Sequence, residues 1–309
     1  MAERWFLNLP EGARFDASAL LLGSDGSLLT VNDKVPGLYR INLHTNATAD
    51  LVRDPIWFTP GQLAHLNSNK IDHWDLEGLS RDSEGRIYVC EELNRWIIRC
   101  DPASGQLERL LIDWKPVAHW FSKDRNASWE GIAAGTDGHL YLANERSVGR
   151  IVVVDLSTLK VIDDFQVAPL GRAARDIHYS DLSWFKGELW VLCRESRRVL
   201  RVNPATHQVL ADFDYTEIEL SVENGYAAFL PVGNLKVWRS TPIISGWSLT
   251  TMAPAAFWIA TTPVQPFTVV RVRIDNGYSL FTDSLSSGGQ GERDSIFSLQ
   301  SKRIADKRR

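Results

Sequence analysis

Two stretches of the chain, "DLEGLSRDSEGRIYVCEELNRWIIRCD" from Asp75 to Asp101 and "WEGIAAGTDGHLYLANERSVGRIVVVD" from Trp129 to Asp155, follow one pattern. Each has Glu-Gly at its front, then a short apolar segment, an acid-Gly turn pair, a β-rich strand and an acid directly after it. Two more copies are legible: "FDASALLLGSDGSLLTVNDKVPGLYRIN" from Phe15 and "YSDLSWFKGELWVLCRESRRVLRVN" from Tyr179. With Ser18, Glu77, Glu130 and Leu182 taken as equivalent points, the copies are spaced by 59, 53 and 52 residues. Self-similarity at such a period is the signature of a repeat architecture.

The pairs Asp25-Gly26, Glu84-Gly85 and Asp137-Gly138 mark tight hairpins, because such turns need positive φ and glycine supplies it without strain. Strands are expected after them at Leu28 to Val31, Ile87 to Cys90, Leu140 to Ala143 and Leu189 to Cys193. A third strand of alternating apolar residues follows in each copy, at Leu38 to Ile41, Trp96 to Cys100, Arg150 to Val154 and Val199 to Val202. No helical periodicity separates them, so each unit reads as an antiparallel meander. Meanders repeated around an axis form a β-propeller. The fold expected is therefore all-β, a propeller of five or six four-stranded blades around a central channel. A β-sandwich would not account for Glu-Gly at a fixed phase.

Composition bounds the partners. The 309 residues are 44% hydrophobic and 23% charged, with a net charge of −4. No Lys/Arg-rich run precedes the extreme C-terminus, so nucleic acid is not an expected partner. The segment "MAERWFLNLPEGARFD" lacks an apolar run long enough for a leader or a membrane span. The sequence as written is expected in the cytoplasm, as a monomer; a misassigned start would place it in the periplasm or outside the cell. Three cysteines, Cys90, Cys100 and Cys193, have neither an even count nor metal spacing and read as packed strand residues.

The repeat grammar ends near Gly233. Three regions are expected: four legible blades over residues 1–232, a degenerate or frameshifted last blade over 233–275, and a disordered tail over 276–309. The frameshift alternative rests on back-translation. Reading one base out of phase turns Pro242 to Ala253 into a strand-like "DYLWLVTDNNG" and Thr261 to Ile274 into a segment resembling "RWIIRCDP", which places a slip near Pro231 to Lys236. The codons of the gene decide it.

In a propeller the inner strands line the axial channel, so Glu77 and Glu130, at one phase of successive blades, converge there. Asp75 and Asp181 fall nearby, and Asp33, Glu92, Glu145 and Glu195 follow the second strand of four blades. Carboxylates sharing one channel repel unless a cation neutralises them, and a hard cation with oxygen ligands, Ca²⁺ first, suits them. Against this, a Glu beside Gly also caps turns, and acids after strands are common in solvated loops. The histidines show no zinc spacing; His73 and His178 precede blade openings and could reach the mouth as an acid or base, or stand as ordinary loop residues. Arg146, Arg175, Arg194 and Arg197 could pair with the acids or bind an anionic substrate. Trp74, Trp129 and Trp184 recur near blade openings, where packing between blades explains them.

The phrases "DLEGLSRDSEGRIYVCEE", "WEGIAAGTDGHLYLANER" and "DLSWFKGELWVLCRES" resemble the esterase-like phytase domain and the related SdiA-regulated propellers, over roughly Phe15 to Val209. The resemblance implies a propeller that often carries calcium, and by motif match it points to Glu77, Glu130 and Glu145. The Asp-rich signature of alkaline propeller phytases is not evident, so phytate hydrolysis is not implied. The expected function is a Ca²⁺-binding propeller hydrolysing small esters, including phosphate esters. Its metal ligands are drawn from Glu77, Glu130, Asp181, Glu92 and Glu195, and Glu145 and His178 handle the proton. The alternative is a propeller without catalysis that binds a small molecule or a partner at its mouth around a structural ion.

Overall fold

In the computed structural model the described residues are 3–9, 15, 17–23, 27–46, 48–66, 73–125, 127–145, 149–172, 177–194, 196–216, 243–249, 256–262, 268–275 and 279–281. The first strand, β1 (Glu3–Asn8), stands apart from the repeats that follow. The first repeat forms β2 (Leu21–Leu22), β3 (Leu28–Val31), β4 (Leu38–Leu43) and β5 (Thr48–Arg53). The second forms β6 (Leu76–Arg81), β7 (Ile87–Glu91), β8 (Trp96–Asp101) and β9 (Gln106–Leu110), preceded by a short helix α1 (Pro60–Leu66). The third comprises β10 (Trp129–Ala134), β11 (His139–Asn144), β12 (Arg150–Asp155) and β13 (Lys160–Phe165), and the fourth β14 (Asp181–Phe185), β15 (Glu188–Cys193), β16 (Arg198–Val202) and β17 (Val209–Asp214). Each repeat pairs in simple meander order, antiparallel throughout.

The chain is thus an all-β propeller, with four blades of four strands among the described residues, and the expectation of five or six is not matched. The remaining strands, β18 (Ile243–Leu249), β19 (Ala256–Thr262), β20 (Thr268–Asp275) and β21 (Ser279–Phe281), do not make a separate sheet. β1 pairs antiparallel with β20 and parallel with β5, which stitches them into one nine-stranded sheet with the first blade. β18 lies against both β14 and β2, between the fourth and first blades. The proposed slip near 231–236 and nearly all of the tail lie outside the described residues.

The hairpins form as the turn chemistry dictates. Gly85 and Gly138 take φ of +84° and +83°, while Asp25-Gly26 lies outside the described residues. The β14–β15 hairpin uses Lys186-Gly187, both at positive φ, with Phe185 opposite Glu188. The turn acids also act as caps: Asp82 accepts hydrogen bonds from the backbone N–H groups of Glu84 and Arg86 and from the Tyr88 hydroxyl, and Asp137 accepts from His139 N–H.

Apolar side chains sit between blades, which explains why β7 is buried along its whole length instead of alternating. Tyr88, Cys90 and Ile97 pack with Trp129, Ile132 and Leu140 between the second and third blades. Tyr141 and Ile151 pack with Tyr179, Leu182 and Leu189 between the third and fourth. Trp129 is fully buried against Trp114 and Phe121, and Trp184 stacks on Tyr141 with centroids 5.4 Å apart. All three cysteines are free and buried.

At the axis the inner strands meet backbone to backbone. A Cβ on Gly78 would lie 3.0 Å from Gly131 Cα, and a Cβ on Gly131 would lie 2.5 Å from Asp181 Cα. This closeness demands the glycine of each Glu-Gly pair, because even one added carbon would push neighbouring blades apart. Gly131→Ala is expected to destabilise the fold by about 2 kcal/mol or more, whereas Gly61→Ala, with open space around its Cβ, should be near neutral. Urea unfolding of the two variants checks this; equal midpoints would contradict the close inter-blade contact.

Candidate metal centre

Because the first two strands of a blade are antiparallel, the start of the inner strand and the end of the next strand share one end of the channel. The register there is irregular in a consistent way. In the second blade pairing steps from Leu76↔Glu91 to Leu79↔Val89, and in the third from Trp129↔Asn144 to Gly131↔Ala143. The extra residue is a β-bulge, which re-aims a side chain without altering the rest of the strand. Glu77 and Glu130 occupy these bulges.

The resulting mouth gathers two groups of carboxylates. Single oxygens of Asp33, Asp75 and Glu77 lie within 4.8 Å of one another, and so do those of Glu92, Glu130 and Glu145. Asp75, Glu92 and Glu145 are buried. Glu92 Oε1 accepts the Ser128 N–H at 2.8 Å, and the Ser128 hydroxyl donates to Glu92 O at 2.8 Å. Two cations reach the groups: Lys34 Nζ lies 2.8 Å from Asp33 and 3.2 Å from Asp75, and an Arg194 nitrogen lies 3.2 Å from Glu145 Oε1.

The electrostatics follow from crowding in a poorly solvated place. Burial, then the charges of Glu130 and its neighbours, pushes Glu92 up to about 9. Burial raises Glu77 well above the usual carboxylate range too, reinforced by Glu130, Glu92, Asp75 and Asp33. Partial burial pulls Lys34 down, but its hydrogen bonds to Asp33 and Asp75 and their charges raise it overall. The adjacent Glu91, capping Asn94 N–H at 2.8 Å, is raised by burial to about 7.

The fourth blade breaks the pattern. Asp181 pairs with Leu192, the strand position of Cys90 and Ala143 in the neighbouring blades, so Asp181 stands at the glycine position and Ser180 at the glutamate position. The Ser18 and Ser180 N–H groups bond Val31 O and Leu192 O, a matching placement, so Ser18, Glu77, Glu130 and Ser180 form one ring of equivalents. Counting from the hairpin glycines, Asp33, Glu92, Glu145 and Arg194 form a second ring, and Asp75, Ser128 and His178 belong to a third. Leu182 was therefore the wrong reference point in the fourth repeat, by two residues.

Of the expected ligands, Glu77, Glu92 and Glu130 come together at the mouth, joined by Asp33, Asp75 and Glu145. Asp181 belongs to neither group; its Oδ1 accepts the Leu182 N–H at 2.8 Å. Glu195 lies outside the described residues, as do Arg146 and Arg175. His178 sits in the third ring, in neither carboxylate group. Lys34 and Ser128 were not anticipated; the only sign of Lys34 is that it follows Asp33 in a tight turn.

The model of the phytase-like family, described as "Esterase-like activity of phytase", matches residues 16–219. The chain belongs to this family. That assignment spans all four blades and both groups of carboxylates. Among solved structures, Myxococcus xanthus glutaminyl cyclase is 14% identical with a TM-score of 0.53, covering 88% of this chain and 100% of that one. A protein of unknown function from Bacteroides caccae is 9% identical, with a TM-score of 0.49 over 88% of this chain and 82% of that one. An inactive virginiamycin B lyase from Staphylococcus aureus is 12% identical, with a TM-score of 0.43 over 89% and 75%. At these identities the likeness to the cyclase concerns the fold alone. No curated protein sequence matches the chain.

A raised carboxyl pKa means that the native chain keeps protons which the unfolded chain has released. Native stability then falls as pH rises, across the window from about 4.5, where the unfolded glutamate titrates, to about 9. Thermal midpoints in EDTA are therefore expected to drop between about pH 5.5 and about pH 8.5, and Glu92→Gln should flatten that slope. A midpoint that rises with pH over this range contradicts the carboxylate crowding.

Proposed function

We propose that this propeller binds Ca²⁺ at its carboxylate mouth and uses that centre to hydrolyse small esters. The observation that carries the reading is the gathering of two adjoining groups of three carboxylates, all oxygen donors and several buried, with Lys34 reaching one group and Arg194 the other. Anionic oxygens without nitrogen or sulfur are the donor set of a hard cation. Burial of so many negative charges is unfavourable unless protons or a cation accompany them, so the residues fit the ion that the family resemblance suggests. Glu92 and Glu130 would hold it, with Glu77 and Asp75 adjoining and Glu145 beside them. A bound Ca²⁺ would supply Lewis-acid polarisation of a substrate oxygen.

The chain's own groups do the rest. Ser128 orients Glu92 through two hydrogen bonds. Arg194 holds one oxygen of Glu145, which fixes that carboxylate at the mouth; in this reading Glu145 accepts a proton and His178, at the neighbouring ring position, donates one. A second reading, a structural ion in a propeller that only binds ligands, is favoured by the burial of Glu92 and Glu145, at 1% and 0% exposure.

Calcium at about one hundred times its Kd should stabilise the native state by about 2.7 kcal/mol, read as a rise in thermal midpoint over EDTA. Glu130→Gln should lose most of that rise. With a panel of nitrophenyl acetate, butyrate and phosphate, Glu145→Gln should lower turnover by about 100-fold or more. A Ca²⁺-dependent midpoint with no turnover on any of these substrates would favour the structural ion.

A further inference from the structure

The acids of the three polar rings come from the first three blades, and the fourth contributes none. At the inner ring the second and third blades present Glu77 and Glu130, and the fourth presents Ser180. At the ring after the second strand, Asp33, Glu92 and Glu145 are followed by Arg194. At the ring before the inner strand, Asp75 and Ser128 are followed by His178. Each of the other blades places at least one acid in these rings, whereas the fourth presents a hydroxyl, a guanidinium and an imidazole, all able to donate hydrogen bonds.

Ser180 carries the point further. It is 1% exposed, and its hydroxyl has no hydrogen-bond partner among the described residues. Its neighbour Tyr179 turns into the core between the third and fourth blades, where its hydroxyl donates to Val167 O at 2.5 Å. Ser180 itself takes the position that Glu77 and Glu130 hold in their blades, its N–H bonded to Leu192 O beside the Asp181↔Leu192 pair, which sets it at the same end of the channel as those glutamates. A buried hydroxyl left without a partner costs about 1–3 kcal/mol, which a native fold tolerates where a ligand supplies the missing bond. The Arg194 guanidinium is held at the mouth by Glu145 at 3.2 Å, and the Arg194 backbone carbonyl accepts the Tyr215 hydroxyl at 3.3 Å.

We infer that the fourth-blade wall, Ser180 and Arg194 with His178 beside them, is the substrate side of the centre and binds an oxyanion, a phosphate or carboxylate group. The inference rests on the reading that a cation neutralises the facing carboxylates, because an anion would otherwise meet six of them. Arg194 supplies a planar donor fork suited to such a group, and Ser180 a single directional donor. The acidic wall holds the ion, the donor wall holds the anionic substrate, and the reacting bond lies between them.

Isothermal titration with inorganic phosphate and, separately, acetate tests this, in Ca²⁺ and in EDTA, on wild type, Ser180→Ala and Arg194→Gln. Phosphate is expected to bind more tightly with Ca²⁺, and each variant should weaken it about tenfold or more, with Ser180→Ala keeping the Ca²⁺-dependent rise in thermal midpoint. Ser180→Ala should be at least as stable as wild type, since it removes an unpaired buried hydroxyl; a structural serine would instead lower the midpoint and leave phosphate affinity alone. Acetate binding that depends on both residues would identify a carboxylate as the oxyanion. Unchanged affinities in both variants, or no binding of either anion in either condition, would overturn the assignment. If wild type shows no Ca²⁺ response, the metal reading fails by itself, and binding in EDTA that depends on Ser180 and Arg194 would still support the wall.

Discussion

The backbone contact of the inner strands at the axis is the constraint from which the rest follows. Gly78 against Gly131, and Gly131 against Asp181, bring successive blades closer than any side chain would allow. With no room on that line, the polar side chain beside each glycine must be carried elsewhere. The bulge does this, adding one residue and turning Glu77 and Glu130 toward the channel end. A packing requirement thus sets the position of the chemically active groups, and the Glu-Gly pair is one device with two halves.

Once the carboxylates are gathered, desolvation governs them more than their pairwise repulsion. Burial is the largest influence on both Glu77 and Glu92, and like charges add to it. Lys34, mostly exposed on its flexible stem, offsets one group only in part, whereas Arg194 touches a single oxygen of a fully buried Glu145. Such a mouth holds either protons or a cation, and the choice shifts with pH. This coupling makes the stability of the fold and the state of its centre parts of one equilibrium.

The repeat, its hairpins and the strands after them were legible because each rests on local chemistry: acid-Gly turns, β-branched runs and a recurring phase. Strands expected at Ile87 to Cys90 and Trp96 to Cys100 appear as Ile87–Glu91 and Trp96–Asp101. The convergence of Glu77 and Glu130 was readable for the same reason. The fourth repeat was misaligned because a bulge adds one residue with no mark in the sequence, and "YSDLSW" lacks the Glu-Gly that anchors its neighbours. Ser180 and Arg194, the residues that distinguish that blade, were therefore missed as equivalents, and Leu182 and Glu195 stood in their place. The blade count failed on a nonlocal contact: β1 joins β5 and β20 from the far end of the chain, which no local pattern announces.

A propeller built from like blades would by itself give a symmetric channel, and a symmetric ring of acids can do little beyond holding a cation. Chemistry on a substrate needs two unlike faces, one to hold the ion and one to hold the group being transformed. Here the repeat supplies the first face through Asp33, Glu77, Glu92, Glu130 and Glu145, and a single divergent blade supplies the second through Ser180 and Arg194. The backbone scaffold is nearly the same in both, with inner strands still in contact at Gly131 and Asp181. The difference between the two faces therefore lies in side chains at ring-equivalent positions, exchanged while the backbone contact between the blades is kept.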